Sequence, residues 1–477
     1  LAVYKKIAAL THDYYPGYYG YGAYGYYGSY GKPSYGYGYY YSGKSPPAYG
    51  YGYNEKEVKR LHQTLIQRII NLLNQHKPSV ARRKNHGKLD GLKIAVYTHN
   101  FYGGGGVETI LENWIETILK YNKVELYLIA YRNGDKPSGV YTKAVGKGKI
   151  YIHLIDADRQ VEEQHNYPLL TRALQQLYST IHPDVVLTHT FWTKDAVVAL
   201  EQAQKSAIPT VSVRHLSGNV MWDITKELLA KSTAIGSPSR QAKEDIEKSG
   251  FKDVKIVGPS VPVIEFFNPN LKEVKEAKNS LRKVDSLFDF IGKVVLFSPH
   301  RLVPEKGHED AIQALAKLKQ SGNKNISLII SGTADDPRSP QFFNGLKARA
   351  ANNGLTYRVI SEDTINNTLK LEDNGNSLNE NADILFILGG LSRENMRRMY
   401  ASVDIMVLAG YWAEGLSQSL IEAQAMGIPV IATNIGGNQE AVNMNRSGFL
   451  LNYEFDYNDA SKREENIVKL TEAIDAL

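Results

Sequence analysis

The chain has 477 residues, a formal net charge of +6 at pH 7 and no cysteine. That length is enough for roughly three domains, and 43% hydrophobic with 22% charged residues is typical of a soluble globular protein. The absence of cysteine excludes disulfides, thiolate nucleophiles, cysteine-ligated zinc and iron–sulfur clusters. No apolar run approaches the ~18 residues of a membrane span, so we expect no transmembrane helix. The chain begins at Leu1 without a signal-peptide pattern and ends at Leu477 within a helical pattern, so we expect a fragment or a processed form.

The positive charge is concentrated at the start of the chain. Residues 1–88 hold 13 Lys and Arg against 3 Asp and Glu, and the remainder is mildly acidic. Tyrosine is equally uneven, because 18 of the 32 lie between Tyr4 and Tyr53. The basic character therefore describes a tail and not the body of the protein, and we expect no nucleic-acid partner.

The first two segments are a tail and a helix. Residues 1–54 are a Tyr- and Gly-rich low-complexity tail that has no means of forming a packed core. The tail is either an adhesive linker or, from a weaker resemblance to exopolysaccharide tyrosine-kinase tails, a target of phosphorylation. Residues 55–90 comprise a basic amphipathic helix over 55–77 and a linker. Its apolar stripe is suited to a membrane surface, to a second copy of the chain, or to packing on its own domain.

The remainder of the chain alternates short apolar strands with helices, which predicts an α/β fold. Residues 91–272 are expected to form an amino-terminal Rossmann-like domain, 273–290 a charged linker, and 291–477 a carboxyl-terminal Rossmann-like domain. A ligand cleft between the two would face the carboxyl ends of both sheets. The predicted strands are LKIAVYTH, VELYLIAY, KIYIHLI, DVVLTHT, PTVSVRH and VKIVG in the first domain, and KVVLFSP, SLIISG, YRVIS, DILFILG, DIMVLAG and PVIATN in the second.

A glycine-rich turn follows the first strand and precedes a helix. Its residues Gly104, Gly105 and Gly106 would permit close backbone approach, and the helix N-terminus would attract a phosphate or carboxylate. A flexible turn is the alternative. The G-x-G-x-x-G pattern of dinucleotide sites is not met, since Glu108 stands at its last position. We therefore do not expect an NAD site.

Two cations follow the first strand of the second domain. Arg301 and Lys306 lie in HRLVPEKG, at the carboxyl end of a predicted strand. Such a pair can hold a diphosphate and neutralise charge on a leaving phosphate, although an isolated pair is more often solvated surface.

A further segment, EGLSQSLIE, joins two carboxylates to the start of a helix. Glu414 lies in a loop after the strand DIMVLAG, Gly415, Leu416 and Ser417 are expected to open the helix, and Glu422 lies near its second turn. Backbone N–H groups at such a helix start favour an anion. Carboxylates at this spacing can accept hydrogen bonds from two polyols, whereas alone they would be a cap and a solvated residue.

Taken in order, these motifs resemble the retaining glycosyltransferases of family 4, which have the GT-B fold of two Rossmann-like domains facing across a cleft. The resemblance covers about residues 92–477. It implies that 91–272 is the acceptor domain and 291–477 the nucleotide-sugar domain. The motifs that carry it are GGVE, the strand-end histidines of DVVLTH and IPTVSVRH, HRLVPEKG, EGLSQSLIEAQAMGIPVIAT, GG-x-x-E and SGFLL.

The resemblance implies roles for the donor-binding residues. The loop Gly104–Gly106 would lie near the donor diphosphate, and Arg301 with Lys306 would bind it. Glu414 would accept hydrogen bonds from the sugar, and Glu422 from the nucleoside ribose.

The resemblance also implies a reaction. His215 matches the histidine close to the transferred sugar, and His189 matches a position on the acceptor side. The implied activity moves a sugar from a nucleotide-sugar to a hydroxyl of a glycan or lipid-linked acceptor, with retention of configuration and without metal or cofactor. We expect a cytoplasmic enzyme, either free or at the inner membrane face. The alternatives are a GT-B nucleotide-sugar epimerase and a catalytically silent scaffold that acts through the tail.

Overall fold

The computed structural model describes most of the chain after residue 88. The described part is 89–477 without residues 99–105, 132–146, 190–191, 218–222, 258–291, 324, 335, 364–367, 374–381, 390, 443–447, 455 and 457–458. The predicted tail, the 55–77 helix, the 273–290 linker, Gly104 and Gly105 lie outside the described residues.

The first domain is built on a seven-stranded parallel sheet with strand order β3-β2-β1-β4-β5-β6-β7. This order places β1 inside the sheet with the chain winding outward on both sides, as in doubly wound folds. The strands are β1 Lys93–Tyr97, β2 Glu125–Tyr131, β3 Lys149–Ile155, β4 Val185–Thr188, β5 Thr210–Val213, β6 Ala234–Ser237 and β7 Lys255–Ile256. The helices are α1 Gly106–Tyr121, α2 Arg159–Gln164, α3 Pro168–Ile181, α4 Lys194–Lys205, α5 Asp223–Ala230 and α6 Arg240–Lys248.

Helices cover both faces of this sheet because its central strands are apolar on both sides. In β1, Ala95 and Tyr97 point into a core with α3 and α4, while Ile94 and Val96 point into a core with α1. Continuous apolar runs of this kind are the mark of buried parallel strands. Each fully buried aliphatic side chain contributes about 1.5–3 kcal/mol to the free energy of folding. The two cores therefore hold the strands in place, and with them the residues that follow the strand ends.

The second domain is built on an eight-stranded sheet with strand order β11-β10-β12-β9-β8-β13-β14-β15. All pairs are parallel except β10 with β11. The strands are β8 Val294–Pro299, β9 Ile326–Gly332, β10 Tyr357–Asp363, β11 Thr368–Asp373, β12 Ile384–Leu388, β13 Ile405–Leu408, β14 Val430–Thr433 and β15 Gly448–Leu451. The helices are α7 His308–Gln320, α8 Ser339–Asn352, α9 Arg393–Tyr400, α10 Gln418–Ala425, α11 Asn438–Ala441 and α12 Ala460–Asp475, with a 3-10 turn at Pro304–Lys306.

The predicted pair of Rossmann-like domains is confirmed. Each strand predicted from the sequence is present within a few residues, whereas β6, β11 and β15, the last a four-residue strand at the end of the sheet, were not predicted. β6 has the sequence AIGS, with small residues at its ends, and β11 belongs to an antiparallel edge hairpin, so neither shows the apolar run of a central strand. None of the described helices combines the length and apolar character needed to cross a membrane.

Gly307 fixes the turn that carries Lys306. Its φ is +73°, and a Cβ there would lie 2.0 Å from the carbonyl oxygen of Ala409. The backbone N–H of Tyr411 donates to the carbonyl of Glu305 at 2.8 Å. The turn and the exit of β13 therefore pack backbone against backbone, which a side chain at this glycine would prevent.

Gly307→Ala is expected to lower the melting temperature of the protein by at least twice as much as Gly322→Ala. Both glycines have positive φ, which costs an alanine about 1–2 kcal/mol, but a Cβ at Gly322 meets nothing within 4 Å. Scanning calorimetry of both variants measures the difference. Equal melting temperatures would show that the turn can move away from β13 at no cost.

Candidate functional site

Arg301 and Lys306 lie at the carboxyl end of β8, as predicted. The backbone here is held by the buried His308, whose Nε2 donates to the carbonyl of Arg301 at 3.0 Å. Because burial lowers the pKa of His308 to about 4, the ring is neutral at physiological pH. Its Nδ1 therefore accepts from the Ser298 hydroxyl at 3.1 Å. These two buried hydrogen bonds of His308 fix the backbone from which Arg301 projects.

Lys306 forms an ion pair with Glu414, and both side chains are largely shielded from solvent. The pair joins the 3-10 turn after β8 to the loop after β13. The carbonyl of Glu414 also accepts from the backbone N–H of Gly437 at 2.7 Å. The predicted cation and the predicted carboxylate thus meet directly at the carboxyl ends of the neighbouring strands β8 and β13.

The helix after Glu414 begins later than predicted. Gly415 and Leu416 precede it, Ser417 is its N-cap residue, and α10 starts at Gln418. Glu414 and Gly415 lie against the other domain, and the helix begins only after them. The side-chain amide of Gln418 is buried, and neither its nitrogen nor its oxygen has a hydrogen-bond partner among the described residues.

Glu422 lies on α10 in a setting that favours its protonated form. Burial raises the pKa of Glu422 to about 7, while a hydrogen bond from Tyr400 and the charge of Arg393 oppose the rise. The Tyr400 hydroxyl lies 3.2 Å from Glu422 Oε2. Sequence reasoning missed Tyr400 and Arg393, because neither belongs to a local motif.

His189 and His215 follow the adjacent strands β4 and β5 and form a buried pair. His215 Nε2 and His189 Nδ1 lie 2.9 Å apart, with one nitrogen donating to the other, and the rings stack at 4.9 Å. The edge of Trp114 contacts His189 with ring centroids 4.5 Å apart. Burial lowers the pKa of His215 to about 3 and that of His189 well below 6.5, so both are neutral at physiological pH. His189 Nε2 is buried without a partner among the described residues.

The two domains meet where Gly415 passes the histidine pair. A Cβ on Gly415 would lie 2.1 Å from the carbonyl oxygen of His215 and 2.9 Å from Cγ of Pro238. Leu216 and Glu414 form an antiparallel bridge alongside. The chain after His215 in the first domain and the Glu414–Gly415 loop of the second thereby lie side by side. Gly106 begins α1.

One Asp-x-Asp sequence occurs, at Asp156–Asp158 after β3. Asp158 is the N-cap of α2 and accepts from the backbone N–H groups of Gln160 and Val161. No group of three or more metal-ligating side chains is found within the described part of the chain. Asp158 is thus engaged in capping a helix.

Both halves of the chain match known families. Residues 104–263 match Glycosyltransferase Family 4, and residues 288–473 match Glycosyl transferases group 1. The Bacillus subtilis spore coat protein SA is 21% identical over 357 residues, covering 73% of this chain and 81% of the relative. The D-inositol 3-phosphate glycosyltransferase of Mycobacterium marinum is 23% identical, covering 57% of this chain and about half, 52%, of the relative.

The fold is shared with solved structures. The Anabaena protein HepE, crystallised with UDP and glucose, superposes with a TM-score of 0.56 at 14% identity, covering 80% of this chain and 94% of HepE. Together with the matches to both halves of the chain, this shared fold supports a glycosyltransferase of the GT-B, family 4 type.

Proposed function

We propose that the protein transfers a sugar from a nucleotide-sugar to a hydroxyl of a glycan or lipid-linked acceptor, with retention of configuration. The observation that carries the proposal is the double contact of the Glu414–Gly415 loop, which pairs with Lys306 on one side and meets His215 on the other. A cation and a carboxylate of the second domain thus lie next to the backbone of a histidine from the first domain.

The donor's diphosphate end is proposed to bind Arg301, Lys306 and the N-terminus of α10. Guanidinium and ammonium groups form strong hydrogen bonds to phosphate oxygens, and a helix N-terminus adds partial positive charge. The HepE structure holds UDP and glucose in the same fold, which supports a nucleotide-sugar donor. On binding, the diphosphate would draw Lys306 and free Glu414 to accept from the sugar hydroxyls.

The chemical step breaks the bond between the anomeric carbon and the donor phosphate oxygen, while the acceptor oxygen bonds to that carbon on the same face. The acceptor proton passes to the departing diphosphate. Arg301 and Lys306 would neutralise the charge that develops on it, which is where electrostatic catalysis is strongest. Because His215 is neutral, its part is hydrogen bonding to the sugar and not charge. A substrate hydroxyl would satisfy His189 Nε2 on the acceptor side.

No metal or cofactor is part of this proposal, since the two cations and the helix N-terminus supply the positive charge. The proposed setting is polysaccharide or glycoconjugate biosynthesis in the cytoplasm, with the basic 55–77 segment directing the enzyme to the membrane face. The relative named as an inositol phosphate glycosyltransferase supports a hydroxyl acceptor.

Arg301→Ala and Lys306→Ala are each expected to weaken donor binding about 10- to 100-fold, since hydrogen bonds to a charged group contribute about 1.5–3 kcal/mol. Calorimetric titration of the full chain with uridine, guanosine and adenosine diphosphates and their sugars would first identify the base and then measure the loss.

Lys462→Ala is the matched control, because that lysine lies on α12 and pairs with Asp456 at the surface. Equal affinities in all three variants would contradict the proposed site. Release of an altered sugar without any acceptor would instead indicate an epimerase.

Binding of the selected nucleotide-sugar is expected to be roughly tenfold weaker at pH 6 than at pH 8. A carboxyl whose pKa is about 7 is only about 10% ionised at pH 6, and the ionised form is the better acceptor for ribose hydroxyls. A nucleotide-sugar is the right probe because its diphosphate, esterified at both ends, does not titrate in this range.

Glu422→Gln is expected to remove this pH dependence. Tyr400→Phe is expected to move its midpoint to higher pH, because the tyrosine hydrogen bond holds the pKa of Glu422 down. A pH dependence that persists in Glu422→Gln would assign it to another group.

A further inference from the structure

The GG-x-x-E motif has no part in the chemistry described above, yet it lies beside the site. It follows β14 and ends on the short helix α11 with Glu440. Its Gly437 N–H donates to the carbonyl of Glu414, which ties the motif to the loop that carries the site. The side chain of Glu440 extends from there to the other domain.

Glu440 caps a helix of the first domain. Its Oε1 accepts from the backbone N–H groups of Arg240 at 2.7 Å and Gln241 at 3.1 Å, the first two residues of α6. Ser239 Oγ accepts from the N–H of Ala242 at 3.1 Å. The helix therefore satisfies its first amides with one side chain of its own domain and one from the other domain. A carboxylate at this end also meets the positive pole of the helix.

The capped segment is continuous with the chain that touches the site. Pro238 and Ser239 join β6 to α6, and Pro238 is one of the two groups that contact Gly415. β6 pairs in parallel with β5, whose next residues include His215. The position of α6 therefore governs how His215 faces the Glu414–Gly415 loop.

An ion pair also crosses between the domains, and it is open to solvent. Arg393 Nη1 lies 3.2 Å from Glu116 Oε2, and about a third of each side chain is exposed. An ion pair that is open to solvent contributes little. Glu440 is half-buried and is held by two backbone amides; burial raises its pKa while the two amide bonds oppose the rise.

We propose that Glu440 is a positioning residue that holds the two domains at the separation needed for transfer, by capping α6 across the domain boundary. This inference rests on the proposed function. Glu440 touches neither donor nor acceptor in this scheme, so its loss should reduce the rate of transfer and largely spare donor affinity, which comes chiefly from the second-domain residues proposed to bind the diphosphate and ribose.

Glu440→Ala is expected to lower kcat at least tenfold while the donor dissociation constant changes less than twofold. Glu440→Gln retains an acceptor oxygen without the charge, so its kcat should lie between Glu440→Ala and the unmodified protein. Glu465→Ala is the matched control, because Glu465 is an exposed glutamate of α12 that pairs with Lys469 of the same helix. Melting curves verify that each variant folds. An unchanged kcat in Glu440→Ala would overturn the proposal, as would a loss of donor affinity in proportion to kcat.

A distance measurement tests the same inference without turnover. The chain has no cysteine, so Gln176→Cys on α3 and Glu472→Cys on α12, both exposed positions, accept spin labels cleanly. Adding Glu440→Ala is expected to broaden the distribution of distances between the labels, and Glu465→Ala to leave it unchanged. Identical distributions with and without Glu440 would refute the cross-domain role. If no donor or acceptor supports turnover, the proposed function fails while this measurement still decides the role of Glu440.

Discussion

The site depends on one close backbone approach, that of Gly415 to the carbonyl of His215. Only a glycine allows the loop after β13 to come this near to the residues after β5. The antiparallel bridge between Leu216 and Glu414 forms directly beside this contact. This contact brings the loop that holds Glu414, the partner of Lys306, next to the residue that pairs with His189. Without it, the two halves of the proposed site would lie further apart.

The groups around this contact carry little uncompensated charge. The two histidines are kept neutral by burial, and Lys306 is compensated by Glu414. Arg301 projects from a backbone that a buried neutral imidazole holds in place. A site of this kind presents cationic side chains to an anion. Its net charge stays small, because few charges inside it lack a partner of opposite sign.

How much of this the sequence predicts depends on how local each feature is. The strands and both domains follow from apolar runs, because parallel strands are buried on both faces, and the strand-end positions of Arg301 and His215 follow from those runs. The pairing of His189 with His215 is not predictable from spacing, since it arises from two strands being neighbours in the sheet. The start of α10 at Gln418 reflects contact with the other domain, which propensity does not contain. The cross-domain bond of Glu440 joins residues 200 positions apart, and the only local trace of it is the GG-x-x-E pattern.

The burial of imidazoles around the cleft has a consequence for acid tolerance. His189, His215, His300 and His308 all have lowered pKa values, chiefly because burial disfavours the charged ring. Between their folded pKa values and about 6.5, the unfolded chain takes up protons that these folded side chains refuse, so stability falls as the pH falls through that interval. The four rings stand at the ends of β4, β5 and β8 and at the start of α7, which are the elements that carry the candidate site. These buried imidazoles thus lower the stability of the folded chain as the pH falls below about 6.5, even though none of them carries a charge in the folded protein.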